Sequence, residues 1–270
     1  MHAAPTVAVS RRALLAGATA AALVTAAGEG TAWAGTLLPE RGGSPNADRI
    51  ASLYTVVLVI AGLVFLGVTV ALIYSLVRYR QSRNQVAAQI RGNTRLEIGW
   101  TVAATVLIVV LAAYSLTKLD AIENPDRIAA SPAAAAAVGI GQGPDDALRI
   151  EVVGRQYIWE YRYPNGANSF GEMVAPVGVT VKLDIVSKDV AHSWWIPKLG
   201  GKFDAIPGYT NHTWFRLSRT GVYRGQCAEL CGRGHAEMLA TVRGVTPAAY
   251  GRWAAEQKRL VGLKGTRGND

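Results

Sequence analysis

The chain has 270 residues, of which 50% are hydrophobic and only 17% are charged, and its mean hydropathy is +0.18. This composition excludes collagen-like, coiled-coil and wholly disordered proteins, and it indicates a very apolar part joined to an ordinary one. The two cysteines are too few for a disulfide framework, and the net charge of +9 must be located along the chain before a nucleic-acid partner is inferred.

Residues 1–34 have the pattern of an export signal. Arg11 and Arg12 precede an apolar stretch, and Ala32-Trp33-Ala34 has the form of a cleavage site. The paired arginines also fit the twin-arginine export route. Because the apolar run is short for a membrane span, we expect this segment to be cleaved rather than kept as an anchor.

Two uncharged stretches, residues 51–77 and 98–117, are predicted to cross a membrane as a helical hairpin within residues 35–120. Each reaches the length of about 20 apolar residues that a helix needs to span the hydrocarbon core. Neither shows the polar stripe of a helix that packs on a soluble core.

The segment between the two spans is basic and has no Asp or Glu from Arg78 to Arg95. Its arginines are Arg78, Arg80, Arg83, Arg91 and Arg95. Short Arg-rich loops stay in the cytoplasm, so both flanks lie outside, as the export signal indicates independently. We therefore predict a multi-pass protein of the bacterial plasma (inner) membrane whose remaining domain is periplasmic or extracellular. Part of the net positive charge therefore serves to orient the chain in the membrane, and no nucleic-acid partner is needed to explain it.

A β domain is predicted for residues 148–245, after an Ala-rich linker at residues 121–147 that is either a flexible tether or a weak helix. Apolar residues then recur with period two, as in Val179, Val181 and Leu183, and turn residues separate the short runs. About 100 residues of this pattern indicate a β-sandwich or a Greek-key barrel. Thr246-Pro247 predicts the start of a C-terminal helix and tail, residues 246–270.

Metal-ligating side chains cluster between Cys227 and Met238, with the spacing C-x3-C-x3-H-x2-M. Two thiols, the imidazole of His235 and a thioether form a soft ligand set that favours copper. His192 lies upstream at the end of a predicted strand, where a β-sandwich commonly brings it beside a later loop. The ligand set alone favours copper electron transfer.

Three other interpretations remain open on the ligand set alone. A disulfide explains the cysteines but not His235 and Met238. A structural zinc site would use His192, Cys227, Cys231 and His235, although zinc sites usually have shorter Cys spacings and no Met. A copper-delivery protein works with a Cys pair and a distant His, but such domains are thioredoxin-like and need helices between their strands.

The β domain resembles the CuA domain of subunit II of cytochrome c oxidase. The motifs that carry the resemblance are His192-Ser193-Trp194, Asp204-Ala205-Ile206-Pro207-Gly208 and Gly225-Gln226-Cys227-Ala228-Glu229-Leu230-Cys231-Gly232, followed by His235 and Met238. The resemblance covers roughly residues 45–245. It implies a membrane-anchored all-β protein in which a two-helix transmembrane hairpin precedes a cupredoxin-like Greek-key β-barrel.

The resemblance implies a dinuclear copper centre, CuA. The implied ligands are His192, Cys227, the backbone carbonyl of Glu229, Cys231, His235 and Met238. The two cysteines would bridge the coppers; His192 and Met238 would complete one copper, and His235 and the Glu229 carbonyl the other. Weak axial thioether and carbonyl ligands suit either copper valence.

Other residues in the matched motifs have implied supporting roles. The Glu229 carboxylate would reach a magnesium ion at the interface with the catalytic subunit, rather than being an ordinary loop carboxylate. Asp204 would orient its loop, and packing from Trp194 and Trp195 would keep the copper site dry.

The implied function is that of subunit II of a respiratory cytochrome c oxidase. The chain would accept electrons from a c-type cytochrome at CuA and pass them to haem in catalytic subunit I, and the assembled complex would reduce oxygen and pump protons. Two rivals are a membrane-tethered copper-delivery or assembly protein and a copper-free quinol-oxidase subunit. The second lacks the Cys pair and His ligands that are present here.

Three further positions stand where the family has residues with roles in electron or proton entry. Tyr157 stands where the family has its usual electron-entry tryptophan, and Trp159 matches the second aromatic position; the alternative for both is packing within an aromatic strand. Glu97 matches a Glu at the entry of a proton pathway, and its alternative is an interfacial carboxylate paired with Arg91 or Arg95.

The charge of the outer domain also departs from the family. Residues 149–270 contain 17 Lys and Arg against 10 Asp and Glu, a balance of +7, whereas many family members present acids to a basic cytochrome c. We therefore expect the donor to be a neutral or acidic c-type cytochrome, or one fixed in a complex.

Overall fold

The computed structural model describes residues 38–84, 86, 89–125, 131–139 and 147–266, with side chains as far as residue 260. The predicted export signal, residues 1–34, lies outside the described residues. The helices are α1 (Pro45–Arg78), α2 (Thr94–Glu123), α3 (Pro132–Ala137) and α4 (Pro247–Thr266).

Helices α1 and α2 pack against each other and are long and apolar enough to cross a membrane. Their apolar side chains are not covered by protein; Phe65, for example, is 72% exposed. Helix α2 continues beyond the uncharged run that predicted its end at Thr117, and its last turn is closed by the hydrogen bond from Asn124 N to Asp120 O. Charged residues therefore extend the helix on the side of the β domain.

The β domain consists of two five-stranded sheets, which confirms the prediction of an all-β domain after two apolar helices. The strands are β1 (Leu148–Arg155), β2 (Ile158–Arg162), β3 (Asn168–Phe170), β4 (Glu172–Pro176), β5 (Thr180–Ser187), β6 (His192–Trp195), β7 (Phe203–Ala205), β8 (Asn211–Arg216), β9 (Gly221–Cys227) and β10 (Leu239–Val245). One sheet has the order β3-β2-β1-β5-β8 and the other β4-β10-β9-β6-β7. Most neighbours are antiparallel, but β1 pairs with β5, and β4 with β10, in parallel.

The core lies between the two sheets. Trp159, Tyr161, Leu183 and Phe215 are at most 1% exposed. Burial along β5 alternates, as the period-two pattern predicts for a strand with one face on the core. The interdigitated aromatic and branched side chains give the domain a rigid frame for the loops at its ends.

Hydrogen bonds join one end of each long helix to the β domain. Asn46 Nδ2 donates to Trp214 O at 2.8 Å, and Arg216 N donates to Ser44 Oγ at 3.1 Å. The indole of Trp214 in turn donates to Ile122 O at 2.9 Å. Strand β8 is therefore fixed to the start of α1 and the end of α2.

The C-terminal helix packs on the domain as an amphipathic element. Thr246 Oγ1 accepts a hydrogen bond from Ala249 N at 3.3 Å, so Thr246 caps the helix as predicted. The ring of Trp253 lies 4.8 Å from that of Tyr163, edge to face. Helix α4 also contacts α3, the short helix within the Ala-rich segment, and it continues to Thr266.

Candidate metal centre

Two segments of one sheet bring the predicted metal ligands together. His192 begins β6 and Cys227 ends the neighbouring β9, with Trp194 and Cys227 as register partners. The loop after β9 carries Cys231 and a short 3-10 helix (His235–Glu237) and returns to β10. Hydrogen bonds from Cys227 N to Met238 O and from Ala228 N to Ser193 O close its base.

The ligand atoms converge on the two sulfurs. Cys227 Sγ lies 3.9 Å from Cys231 Sγ. Around Cys227, His192 Nδ1 lies at 4.0 Å and Glu229 O at 3.3 Å. Around Cys231, His235 Nδ1 lies at 3.6 Å and the Met238 sulfur at 4.0 Å. All six predicted donors are thus in one cluster, and each thiol has an imidazole beside it.

This arrangement fits a copper site better than a disulfide or a structural zinc site. The two thiols are free, so the pair is not a disulfide. His192, Cys227 and Cys231 offer ligand atoms within 4.8 Å of one another and could hold a metal ion, whereas His235 is outside that group. A single tetrahedral zinc would need all four side chains around one point. Met238, 0% exposed, adds a soft donor that zinc sites do not use.

The Cys231 thiol would exchange its proton for a metal ion. Burial, together with the neighbouring Cys227, raises the pKa of the Cys231 thiol to about 11. The thiol is therefore protonated at neutral pH until a cation takes the place of its proton, as thiolate ligands require.

Asp189 is a residue of this site that sequence reasoning missed. Its Oδ1 lies 2.8 Å from His192 Nε2, which leaves Nδ1 to face Cys227. Burial opposes ionisation, but hydrogen bonds from Gln156 N and from the His192 ring hold the pKa of Asp189 below its ordinary value. A carboxylate on the outer imidazole nitrogen fixes the ring orientation of a metal ligand. The only signal in the sequence was its spacing of three residues from His192.

Gln156 and Tyr157 lie against the ligand loop. Gln156 Nε2 donates to Cys231 O at 2.6 Å. A Cβ built at Gly232 would meet the Tyr157 hydroxyl at 2.5 Å, and one at Gly234 would meet the ring at 2.5 Å. The ring is 39% exposed, so it connects solvent with the loop that holds Cys231. Gln156 was not identified from the sequence as a site residue.

Three cationic residues lie on the segments next to Tyr157. Arg233 stands between the two glycines that contact the ring, and Lys188 N donates to Gly154 O at 3.1 Å, beside Arg155. Arg155 pairs with Glu160, whereas Arg233 and Lys188 are exposed and form no ion pair within the part of the chain that the structure describes. Asp189 directs its oxygens inward, to Gln156 N and His192.

Trp159 and Trp194 enclose the site from within. Trp159 is 0% exposed and its ring lies 5.9 Å from that of His192, edge to face. Trp194 is buried and its Nε1 donates to Tyr161 OH at 3.3 Å, while Trp195 is only half-buried. Indole packing therefore excludes water from the His192 side of the cluster.

Glu229, Asp204 and Lys202 form a separate polar group. Lys202 Nζ lies 2.6 Å from Asp204 Oδ1 and 3.8 Å from Glu229 Oε2. The hydrogen bond from Lys202 holds the pKa of Asp204 below its ordinary value. Asn211 Nδ2 donates to Asp204 O at 2.6 Å and ties this turn to β8. The Glu229 side chain is 46% exposed and lies near Lys202, whereas its backbone carbonyl faces Cys227 Sγ.

Glu97 is exposed at the start of α2, where it takes part in capping. Its Oε1 accepts from Asn93 N at 3.2 Å, and Asn93 Oδ1 accepts from Leu96 N at 3.2 Å. Among the described residues it makes no ion pair, so the expected alternative of pairing with Arg91 or Arg95 is not seen.

Comparisons with known proteins decide the family. The model of the transmembrane domain of cytochrome c oxidase subunit II matches residues 31–118, and the model of its periplasmic domain matches residues 168–245. The chain belongs to the cytochrome c oxidase subunit II family. The resemblance stated from the motifs is therefore confirmed, and the chain is a membrane protein of an oxidoreductase family.

Two curated relatives agree with this assignment. Cytochrome c oxidase subunit 2 of Cereibacter sphaeroides is 32% identical over 255 residues, which cover 80% of this chain and 78% of that protein. The protein of the same name from Alkalihalophilus pseudofirmus is 35% identical over 77% of this chain and 58% of its own length. The solved periplasmic domain of subunit II of cytochrome oxidase of Bradyrhizobium japonicum is 34% identical over 42% of this chain and 94% of that chain, with a TM-score of 0.41.

Proposed function

We propose that this chain is the electron-entry subunit of a haem–copper oxidase. It takes electrons from a c-type cytochrome at a dinuclear CuA centre, and it passes them to haem in the catalytic subunit of a complex that reduces oxygen and pumps protons. The observation that carries the proposal is the convergence of two imidazole nitrogens, a thioether and a backbone carbonyl on one pair of buried thiols.

The donor set fits the copper pair. When bound, the two coppers supply a one-electron carrier that needs little rearrangement on redox change. Cys227 and Cys231 would hold the metal as thiolates after releasing their protons to solvent. His192 and His235 would bind through Nδ1, the atom that each ring directs at a thiol. The Met238 thioether and the Glu229 carbonyl would be the weak ligands.

The protein holds these donors still and dry. Asp189 fixes the His192 ring, and the hydrogen bond from Cys227 N to Met238 O ties the thioether to the strand that carries the first thiol. Trp159 and Trp194 cover the inner side. Donors fixed by packing and hydrogen bonds keep their positions when the charge of the site changes, which favours fast electron transfer.

Electrons enter through Tyr157 in this proposal. Its ring is partly exposed and contacts Gly232, the residue next to the Cys231 ligand. Trp159 is fully buried against His192, which supports a role inside the site rather than in donor contact. The cations around Tyr157 favour a donor whose docking face is neutral or acidic.

The remaining family roles complete the proposal. The exposed Glu229 carboxylate would bind magnesium at the interface with catalytic subunit I, in competition with Lys202. Glu97, exposed at the start of α2, would stand at a proton entrance. The Arg-rich loop between the helices supports a cytoplasmic hairpin turn, so the β domain would face the periplasm from the plasma membrane of a bacterium.

Rapid mixing of the assembled oxidase with a reduced c-type cytochrome tests the proposal. The wild-type complex is expected to take up electrons rapidly, whereas C227S and C231S are expected to lose this phase while keeping their haem spectrum. M238L, which removes only a weak ligand, should keep copper and shift its reduction potential. Rapid uptake that is unchanged in C227S would refute electron entry through this centre.

A further inference from the structure

The two segments that carry metal ligands are joined by a chain of hydrogen bonds outside the ligand cluster. Asp189 Oδ1 lies 2.8 Å from His192 Nε2, and Asp189 Oδ2 accepts from Gln156 N at 2.7 Å. The side chain of the same Gln156 donates through Nε2 to Cys231 O at 2.6 Å. The path therefore runs from His192 at the start of β6 to Cys231 in the loop after β9.

We propose that Gln156 is a positioning residue of the copper centre, which fixes the Cys231 thiol relative to the His192 imidazole. The inference rests on the proposed function. Gln156 stands just before β2, in the sheet opposite the one that carries the ligands, so it braces them from outside their own sheet. Its backbone holds one ligand segment and its side chain holds the other.

The local backbone is built to let this amide approach. Gly232 follows Cys231 with φ +127°, and a Cβ there would lie 2.9 Å from Gln156 Nε2. Only glycine tolerates both that backbone conformation and that contact. The hydrogen bonds from His235 N to Gly232 O and from Met238 N to His235 O set the shape of the ligand loop, and the one from Ala228 N to Ser193 O ties its base beside His192. Gln156 adds a second attachment at Cys231 itself.

The position of the Cys231 backbone determines where its thiol lies relative to the other ligands. Cys231 Sγ faces both His235 Nδ1 and the Met238 sulfur, so a displacement of its backbone moves the atom on which one half of the ligand set converges. The Cys231 carbonyl has its hydrogen-bond donor on Gln156, and loss of that donor leaves the carbonyl to water or to a shifted loop.

The test substitutes the donor without changing side-chain length or charge. The full-length chain in detergent is loaded with copper as wild type, Q156M and Q226M. Gln226 is the matched control, because it is exposed, precedes Cys227 directly, and has no side-chain hydrogen bond among the residues that the structure describes. Q156M retains the backbone N–H that binds Asp189 and loses only the amide donor.

Two readouts separate positioning from a loss of folding. Q156M is expected to lose copper to a chelator about fivefold faster than wild type, the scale of one lost hydrogen bond, and Q226M at the wild-type rate. The copper hyperfine splitting of the loaded Q156M fraction should also change, since merely weaker folding would lower the loaded fraction without altering its spectrum. Equal copper release rates and identical spectra in wild type and Q156M would overturn the positioning role of Gln156 but leave the proposed function standing. A wild-type chain that binds no copper pair would overturn the proposed function and this inference with it.

Discussion

Asp189 Oδ1 lies 2.8 Å from His192 Nε2, on the opposite side of the imidazole from Cys227. This contact determines which ring nitrogen is free to bind metal. Nδ1 faces the thiol at 4.0 Å, while the protonated nitrogen is held by a carboxylate. The orientation of the His192 ring as a metal ligand therefore depends on Asp189, which is not itself a ligand.

Removing this carboxylate should weaken copper binding. In D189A the ring loses its anchor, and we expect copper affinity to fall at least tenfold, the lower end of the effect of such outer partners. Competition titration with a copper chelator measures it. D184A is the matched control, because Asp184 Oδ1 lies 2.8 Å from His212 Nδ1 in a second His–Asp pair, on β5 and β8 rather than at the ligand loop. Equal affinity in D189A and wild type would remove Asp189 from the site.

A methyl group at Gly232 should disrupt the ligand loop. G232A places a Cβ 2.5 Å from the Tyr157 hydroxyl on a backbone with φ +127°, and we expect copper occupancy to fall sharply. G166A separates the two causes, since Gly166 has φ +81° with nothing within 4 Å of its Cβ. That control should lose only about 1 kcal/mol of unfolding free energy and keep full occupancy. Metal analysis and thermal unfolding measure both, and a G232A chain with full copper content would show that Tyr157 does not confine the loop.

Glu160 should link the stability of the domain to pH. The hydrogen bond from Arg162, with the charge of Arg155 added and burial opposing, holds the pKa of Glu160 below its ordinary value of 4.5. A lowered folded-state pKa stabilises the fold above the unfolded value, and this contribution is lost as the pH falls through the folded value.

We therefore expect E160Q to unfold with about 1–2 kcal/mol less free energy than wild type at pH 7. The difference should shrink as the pH falls below 4.5, where Glu160 of the unfolded chain takes up a proton, and vanish once the pH is below the lower folded-state pKa. Thermal unfolding at several pH values checks this. E237Q, at an exposed position without an ion pair among the described residues, should match wild type throughout. A wild-type advantage that grows in acid would have the wrong sign for this explanation.

The cations around Tyr157 should set the salt dependence of the donor reaction. K188E and R233E reverse charges beside the exposed ring, so we expect turnover with a strongly basic cytochrome c to rise, by about tenfold at low ionic strength when both are combined. R252E, on the exposed face of α4, makes the same change in net charge away from the loop and should have little effect. Wild-type turnover with a basic cytochrome c that falls steeply as salt rises would contradict a cationic docking face.

The sequence was most informative where spacing alone carries the chemistry. The C-x3-C-x3-H-x2-M run and His192 predicted five of the six donors that the fold brings together, the Glu229 carbonyl being implied only by the family resemblance, and uncharged runs predicted both long helices. Helix α2 exceeded its predicted end because its last turns are polar yet tied to the β domain through Ile122 and Trp214. Asp189 and Gln156 were beyond prediction because their roles arise from contacts between segments that lie far apart in the chain, and neither residue type is distinctive in its local sequence.

Electron paramagnetic resonance of the copper-loaded, full-length chain tests the dinuclear copper centre most directly. We expect two coppers per chain and a hyperfine pattern in which one unpaired electron couples equally to both nuclei, abolished by either C227S or C231S. A colourless protein that holds a single zinc ion, or a signal from one isolated copper, would contradict it.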